Sequence, residues 1–106
     1  MNNAVKLGFT LMALLLSACA SQNTTEWTRW VCNSNAELFW RFSDSTLEQV
    51  EVRLGGEDRV YQLRQEPAGS GELYSDGRLS LHTKGEQGLV YWTATNDLIG
   101  RGCKAP

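Results

Sequence analysis

From Glu26 to Pro106 the chain is interrupted by turn residues about every ten positions, and no stretch between them sustains a helical period. That spacing leaves short strands as the building unit. Leu47 to Leu54 (LEQVEVRL) shows it most clearly, because Val50, Val52 and Leu54 alternate with Gln49, Glu51 and Arg53. Glu26 to Cys32 is aromatic and β-branched. Glu37 to Phe42 sets Leu38, Trp40 and Phe42 on one face and Arg41 on the other, and Asp58 to Arg64 points Tyr61 and Leu63 inward. Gly71 to Tyr74, Arg78 to Lys84, Gln87 to Ala94 and Asp97 to Cys103 bring the number to about eight strands. Consecutive antiparallel strands in one small domain must bury a face and remove their edges. The expected fold is therefore all-β, a small antiparallel eight-stranded β-barrel, with a two-sheet sandwich as the alternative. Glycines 88, 100 and 102 within the last two strands predict bends or bulges at barrel corners. The four tryptophans, at 27, 30, 40 and 92, are expected to fill the interior rather than line a ligand cavity, because barrels this small are packed by their own side chains.

The stretch from Ala68 to Gly88 carries the chemistry. A two-residue Asp76-Gly77 turn would oppose Glu72 to Leu81 and mix polar with apolar residues on both faces. A three-residue loop from Ser75 to Gly77 instead pairs Leu73 with Leu79 and Gly71 with Leu81, giving one apolar face. The opposite face then carries Ser70, Glu72, Tyr74, Arg78, Ser80, His82 and Lys84. In this register Ser70 falls opposite His82, with Lys84 on the diagonal at roughly 7–8 Å by Cβ spacing. A hydroxyl and an ammonium are thus expected side by side at the open end of the hairpin.

Residues 1–18 read as a targeting segment. Lys6 precedes an apolar run from Leu7 to Leu16, which is too short to cross a bilayer, a task that takes roughly 20 residues. Leu16-Ser17-Ala18-Cys19 follows, the pattern of a bacterial lipoprotein processing site. Cys19 is expected to carry a diacylglycerol and an N-acyl chain such as palmitate, a combination that anchors stably. Ala20, where an aspartate would signal inner-membrane retention, favours the outer membrane. Ser21 to Thr25 is a polar tether, so residues 19–25 link the anchor to a domain over 26–106.

With Cys19 lipidated, Cys32 and Cys103 remain as a pair in a compartment that permits disulfides. A bridge between them would close a loop of about seventy residues and contribute about 4 kcal/mol. Two cysteines and one histidine cannot assemble a zinc site, and nothing in the sequence calls for a cofactor. The chain has 10 basic and 12 acidic side chains; without Lys6 the balance is 9 against 12, or −3. No basic patch marks a nucleic-acid binder, and the mild acidity suits a basic partner.

These residues, taken in order, resemble a known family. Trp30-Val31-Cys32, the SGxxY motif at Ser70-Gly71-Glu72-Leu73-Tyr74, Lys84-Gly85 fourteen positions after Ser70, the closing Cys103 and the lipoprotein signal are together similar to the membrane-bound inhibitors of C-type lysozyme. The resemblance implies an eight-stranded barrel that blocks the lysozyme cleft. It also implies that Ser70 and Lys84 insert between the enzyme's catalytic carboxylates, that Tyr74 buttresses the loop or lines the contact surface, and that His82 lies in the contact face. Two positions depart from the family pattern. His82 stands where a tryptophan is usual, and Gly88 where an alanine is expected.

Other functions fit the residues less well. A Ser70, His82, Asp76 triad fails because Asp76 belongs to the far turn of the hairpin, and no oxyanion hole is evident. A Ser70–Lys84 dyad would need a buried, deprotonated lysine, whereas Lys84 is expected to face water. The sequence therefore does not read as an enzyme. A non-catalytic envelope lipoprotein that binds another protein or peptidoglycan is the remaining class. The sequence leaves oligomeric state open.

Overall fold

A computed structural model describes residues 26–106. The signal, the lipidation site Cys19 and the tether lie outside the described residues. Eight strands follow in order: β1 (Thr28–Val31), β2 (Glu37–Phe42), β3 (Gln49–Leu54), β4 (Tyr61–Glu66), β5 (Glu72–Ser75), β6 (Leu79–Lys84), β7 (Gln87–Trp92) and β8 (Leu98–Lys104). Each pairs antiparallel with the next, and β1 pairs with β8, so the sheet closes into a barrel. Closure removes both sheet edges, which eight short strands could not otherwise protect. The barrel is thus the outcome and the sandwich is not.

Period-2 alternation decides the interior. Val50, Val52 and Leu54 on β3, Leu38 on β2, Tyr61 and Leu63 on β4, Leu79 and Leu81 on β6 and Val90 on β7 form one buried cluster. Seven of its leucines and valines are fully buried, and each contributes about 1.5–3 kcal/mol of transfer free energy.

The disulfide joins Cys32, just after β1, to Cys103 in β8, 71 positions apart in sequence. Cys103 is fully buried and Cys32 nearly so, and the Asn33 amide donates to the Arg101 carbonyl at 2.9 Å beside them. The bridge therefore fastens the weakest seam, because β1 and β8 share only Val31↔Lys104 in their ladder. The expected irregularity in the last two strands is present as register shifts on β7 between Gly88 and Val90 and between Val90 and Tyr91.

Three of the four tryptophans serve the core. Trp30 is buried, Trp40 and Trp92 pack against the cluster, and edge-to-face contacts run from Trp30 to Trp40 (5.2 Å), Phe42 (5.4 Å) and Tyr74 (6.5 Å). Trp27 is the exception. It lies outside, with the Arg41 guanidinium 4.1 Å and that of Arg53 5.1 Å from its ring centroid. Trp27 precedes β1, where the alternation that buries Trp30 turns odd-numbered side chains outward, so cation–π stacking replaces core burial.

The β5–β6 hairpin corrects the expected register. Neither the Ser75–Gly77 loop nor the Asp76-Gly77 turn forms; Ser75 pairs with Ser80, Tyr74 with Leu81, Leu73 with His82 and Glu72 with Thr83. Two local features set this pairing. Gly77 takes a left-handed φ of 86° at the first central position of the turn, where few other residues fit. One Asp76 carboxylate oxygen accepts from the Arg78 and Leu79 amides, each at 2.8 Å. The three-position change in pairing exchanges the faces of β5, so Tyr74 enters the core and Leu73 faces outward. Ser75 and Ser80 then meet on the outer face, where Ser80 Oγ donates to Ser75 Oγ at 3.0 Å and lies 2.8 Å from Thr93 Oγ1. That hydroxyl cluster satisfies two buried serines.

Candidate functional site on the barrel rim

Strand β6 ends at Lys84, which pairs with Gln87 across the turn Gly85-Glu86. Gly85 has φ 65°, the left-handed value that lets a two-residue turn follow the lysine directly. Lys84 is consequently held at the rim, exposed, and its ammonium makes no hydrogen bond or ion pair with another described residue.

Ser70 reaches the same place from the other side of the hairpin. It is exposed and precedes β5, and the chain turns at Gly71, whose φ is 65°. A Cβ at position 71 would stand 2.2 Å from the Thr83 carbonyl oxygen, so the backbone there lies against β6 as only glycine allows. This close approach explains a pairing that the ladder alone would not give. Although β5 sets Leu73 opposite His82, the His82 ring reaches past it, with Nε2 2.8 Å from the Ser70 carbonyl oxygen. A carbonyl oxygen only accepts, so Nε2 carries the proton and donates. Ser70 and His82 are brought together as expected from the sequence, but through the Ser70 backbone rather than a facing pair of side chains.

Ser70, His82 and Lys84 line one shallow groove of about 280 Å³ with Gln87, Gly88, Leu89 and Gly102. Gly88 shapes its floor. A Cβ there would come within 2.8 Å of the His82 carbonyl oxygen and 3.0 Å of the Trp30 ring, so an alanine would force both to shift. Tyr74 is not in this groove. It is 4% exposed, and burial, followed by the neighbouring Glu72 carboxylate, raises its phenol above the usual 10.0. Of the two roles expected for Tyr74, this position suits support of the wall from inside. Glu72, at the start of β5, accepts from Thr83 Oγ1 at 3.3 Å.

The triad alternative is not assembled. Asp76 is committed to the amides of its own turn, at the opposite end of the hairpin from Ser70, while His82 Nε2 is turned to a carbonyl. Sequence reasoning missed three features: the left-handed Gly71, the His82 bond to Ser70, and the amide-binding role of Asp76. The glycine following Ser70 and the aspartate preceding Gly77 were the available signals.

The molecule is thus a small disulfide-closed β-barrel with a packed core, and Ser70, His82 and Lys84 share one groove on its rim. The chain belongs to the MliC family: the family model for the membrane-bound lysozyme-inhibitor of c-type lysozyme matches residues 30–99, which include Ser70, His82 and Lys84. Comparisons with curated proteins and with solved structures gave no match.

Proposed function

We propose that this protein inhibits C-type lysozyme by inserting the Ser70–Lys84 rim into the catalytic cleft, and that it thereby protects the peptidoglycan of its own cell. The observation that carries this reading is the shared groove: an exposed seryl residue and an ammonium without an ion-pair partner among the described residues line it together. A retaining glycosidase holds one carboxylic acid and one carboxylate about 5–5.5 Å apart. The Ser70 hydroxyl can donate to one and accept from the other, while the Lys84 ammonium pairs with the ionised group. Substrate is then excluded by occupancy of both catalytic groups. The protein's own chemistry is binding, not turnover.

The chain is organised as a signal over 1–18, a lipidated Cys19 with its tether to residue 25, and the barrel domain over 26–106. The lipid holds the inhibitor at the outer membrane, facing the periplasm where peptidoglycan lies. The mature part's charge of −3, from 9 basic and 12 acidic groups, favours encounter with a basic enzyme.

Competition tests the mechanism. The soluble domain is added to a C-type lysozyme with increasing chito-oligosaccharide that fills the cleft. Cleft insertion predicts that the apparent Kd of the barrel rises linearly with sugar concentration, as the inverse of the fraction of clefts left empty. An unchanged Kd would place the contact elsewhere on the enzyme.

A further inference from the structure

His82 is half-buried and faces the rim groove, yet no acid–base role falls to it. Its Nε2–H donates to the carbonyl of Ser70, twelve residues earlier, at 2.8 Å. Ser70 otherwise stands in an exposed stretch, Arg64 to Glu72, of which residues 67–71 belong to no strand. Gly71 follows in a left-handed conformation, pressed against the Thr83 carbonyl. Two contacts with β6 therefore fix the peptide unit between Ser70 and Gly71, one through the Gly71 backbone and one through the imidazole.

We propose that His82 is a positioning residue for Ser70: by holding the Ser70 carbonyl it sets where the Ser70 hydroxyl stands relative to Lys84, and so preorganises the inhibitory rim. This inference rests on the inhibitor reading for its consequence in binding, though not for the contact itself. Preorganisation matters because a loop that must be ordered on binding weakens the complex by that cost.

Two variants separate the hydrogen bond from the ring. His82→Phe keeps an aromatic ring without a donor, and His82→Gln offers an amide N–H at nearly the position of Nε2. Backbone amide relaxation of the free, soluble domain is measured first. Ser70 and Gly71 are expected to lose order in H82F and to keep it in H82Q, with thermal midpoints of both near the parent's. Inhibition of a C-type lysozyme is then titrated. H82F is expected to bind about three- to tenfold more weakly, the range for one lost hydrogen bond, and H82Q to recover most of that loss. Unchanged order at Ser70 and Gly71 in H82F would overturn the proposal, as would equal weakening in both variants with order preserved. If the parent itself does not inhibit, the inhibitor reading fails, while the relaxation measurement still decides whether His82 positions Ser70.

Discussion

Gly100 on β8 faces Cys32 so closely that a Cβ at position 100 would stand 2.5 Å from the Cys32 sulfur and 2.6 Å from its Cβ. The residue is buried, so nothing nearby can swing into solvent to make room. Gly100→Ala is accordingly expected to destabilise the barrel by about 1–3 kcal/mol, the usual range for overpacking a closed core. The check is the urea midpoint of the oxidised domain beside Gly69→Ala, where a Cβ would meet nothing within 4 Å. Equal midpoints for the two variants would refute the packing argument.

Gly71 and Gly77 both have left-handed φ, at 65° and 86°, but only Gly71 is crowded. Gly77→Ala should cost about 1–2 kcal/mol for the backbone conformation alone and leave the rim intact. Gly71→Ala carries the same backbone cost and also drives a methyl into the Thr83 carbonyl, so the Ser70 segment must move. Inhibition is expected to fall at least tenfold for G71A and to stay within about threefold of the parent for G77A. Paired titrations against one lysozyme, with stability measured in parallel, distinguish the two.

Tyr74 gives the fold an alkaline limit. Burial, with a smaller effect from Glu72, holds its phenol protonated above the usual 10.0. The unfolded chain begins to release this proton near pH 10 while the folded chain keeps it, so the unfolded state binds fewer protons there and stability falls as pH rises. The contribution is intact below about pH 10 and disappears as pH passes through the higher folded-state value. Tyr74→Phe removes the proton. Its urea midpoint should therefore decline less steeply than the parent's between about pH 9 and 11. Parallel declines would show that Tyr74 is not held neutral by the fold.

Much of the barrel was legible because its interior obeys period-2 alternation, as Val50, Val52, Leu54, Tyr61 and Leu63 show. The pairing of Cys32 with Cys103 followed from two cysteines near the ends of the domain, and closure then joined the first and last strands. The hairpin register was not legible. Leucines at 73, 79 and 81 suggested an apolar face that placed Tyr74 outside. What decided the register was local: the Asp76 carboxylate takes two turn amides and Gly77 occupies the first turn position. Burying a tyrosine and pairing Ser75, Ser80 and Thr93 outside is a tertiary choice that hydropathy does not record. The rim survived this change of register. Ser70 still meets His82 because Gly71 breaks the strand and folds the chain back onto β6, so a correct grouping of Ser70, His82 and Lys84 came from an incorrect ladder.

Inhibition itself gives the most direct test. Lysis of bacterial cell walls by a C-type lysozyme is followed while the soluble domain, from Ser21 onward, is titrated in, beside a Ser70→Ala, Lys84→Ala double variant shown to be equally stable and oxidised. The account predicts near-stoichiometric inhibition by the parent and its loss, by a hundredfold or more for two charge-assisted contacts, in the variant. Full inhibition by the variant would move the inhibitory contact away from the rim. A folded, oxidised parent that does not inhibit at all would contradict the account and leave an envelope lipoprotein that binds another partner.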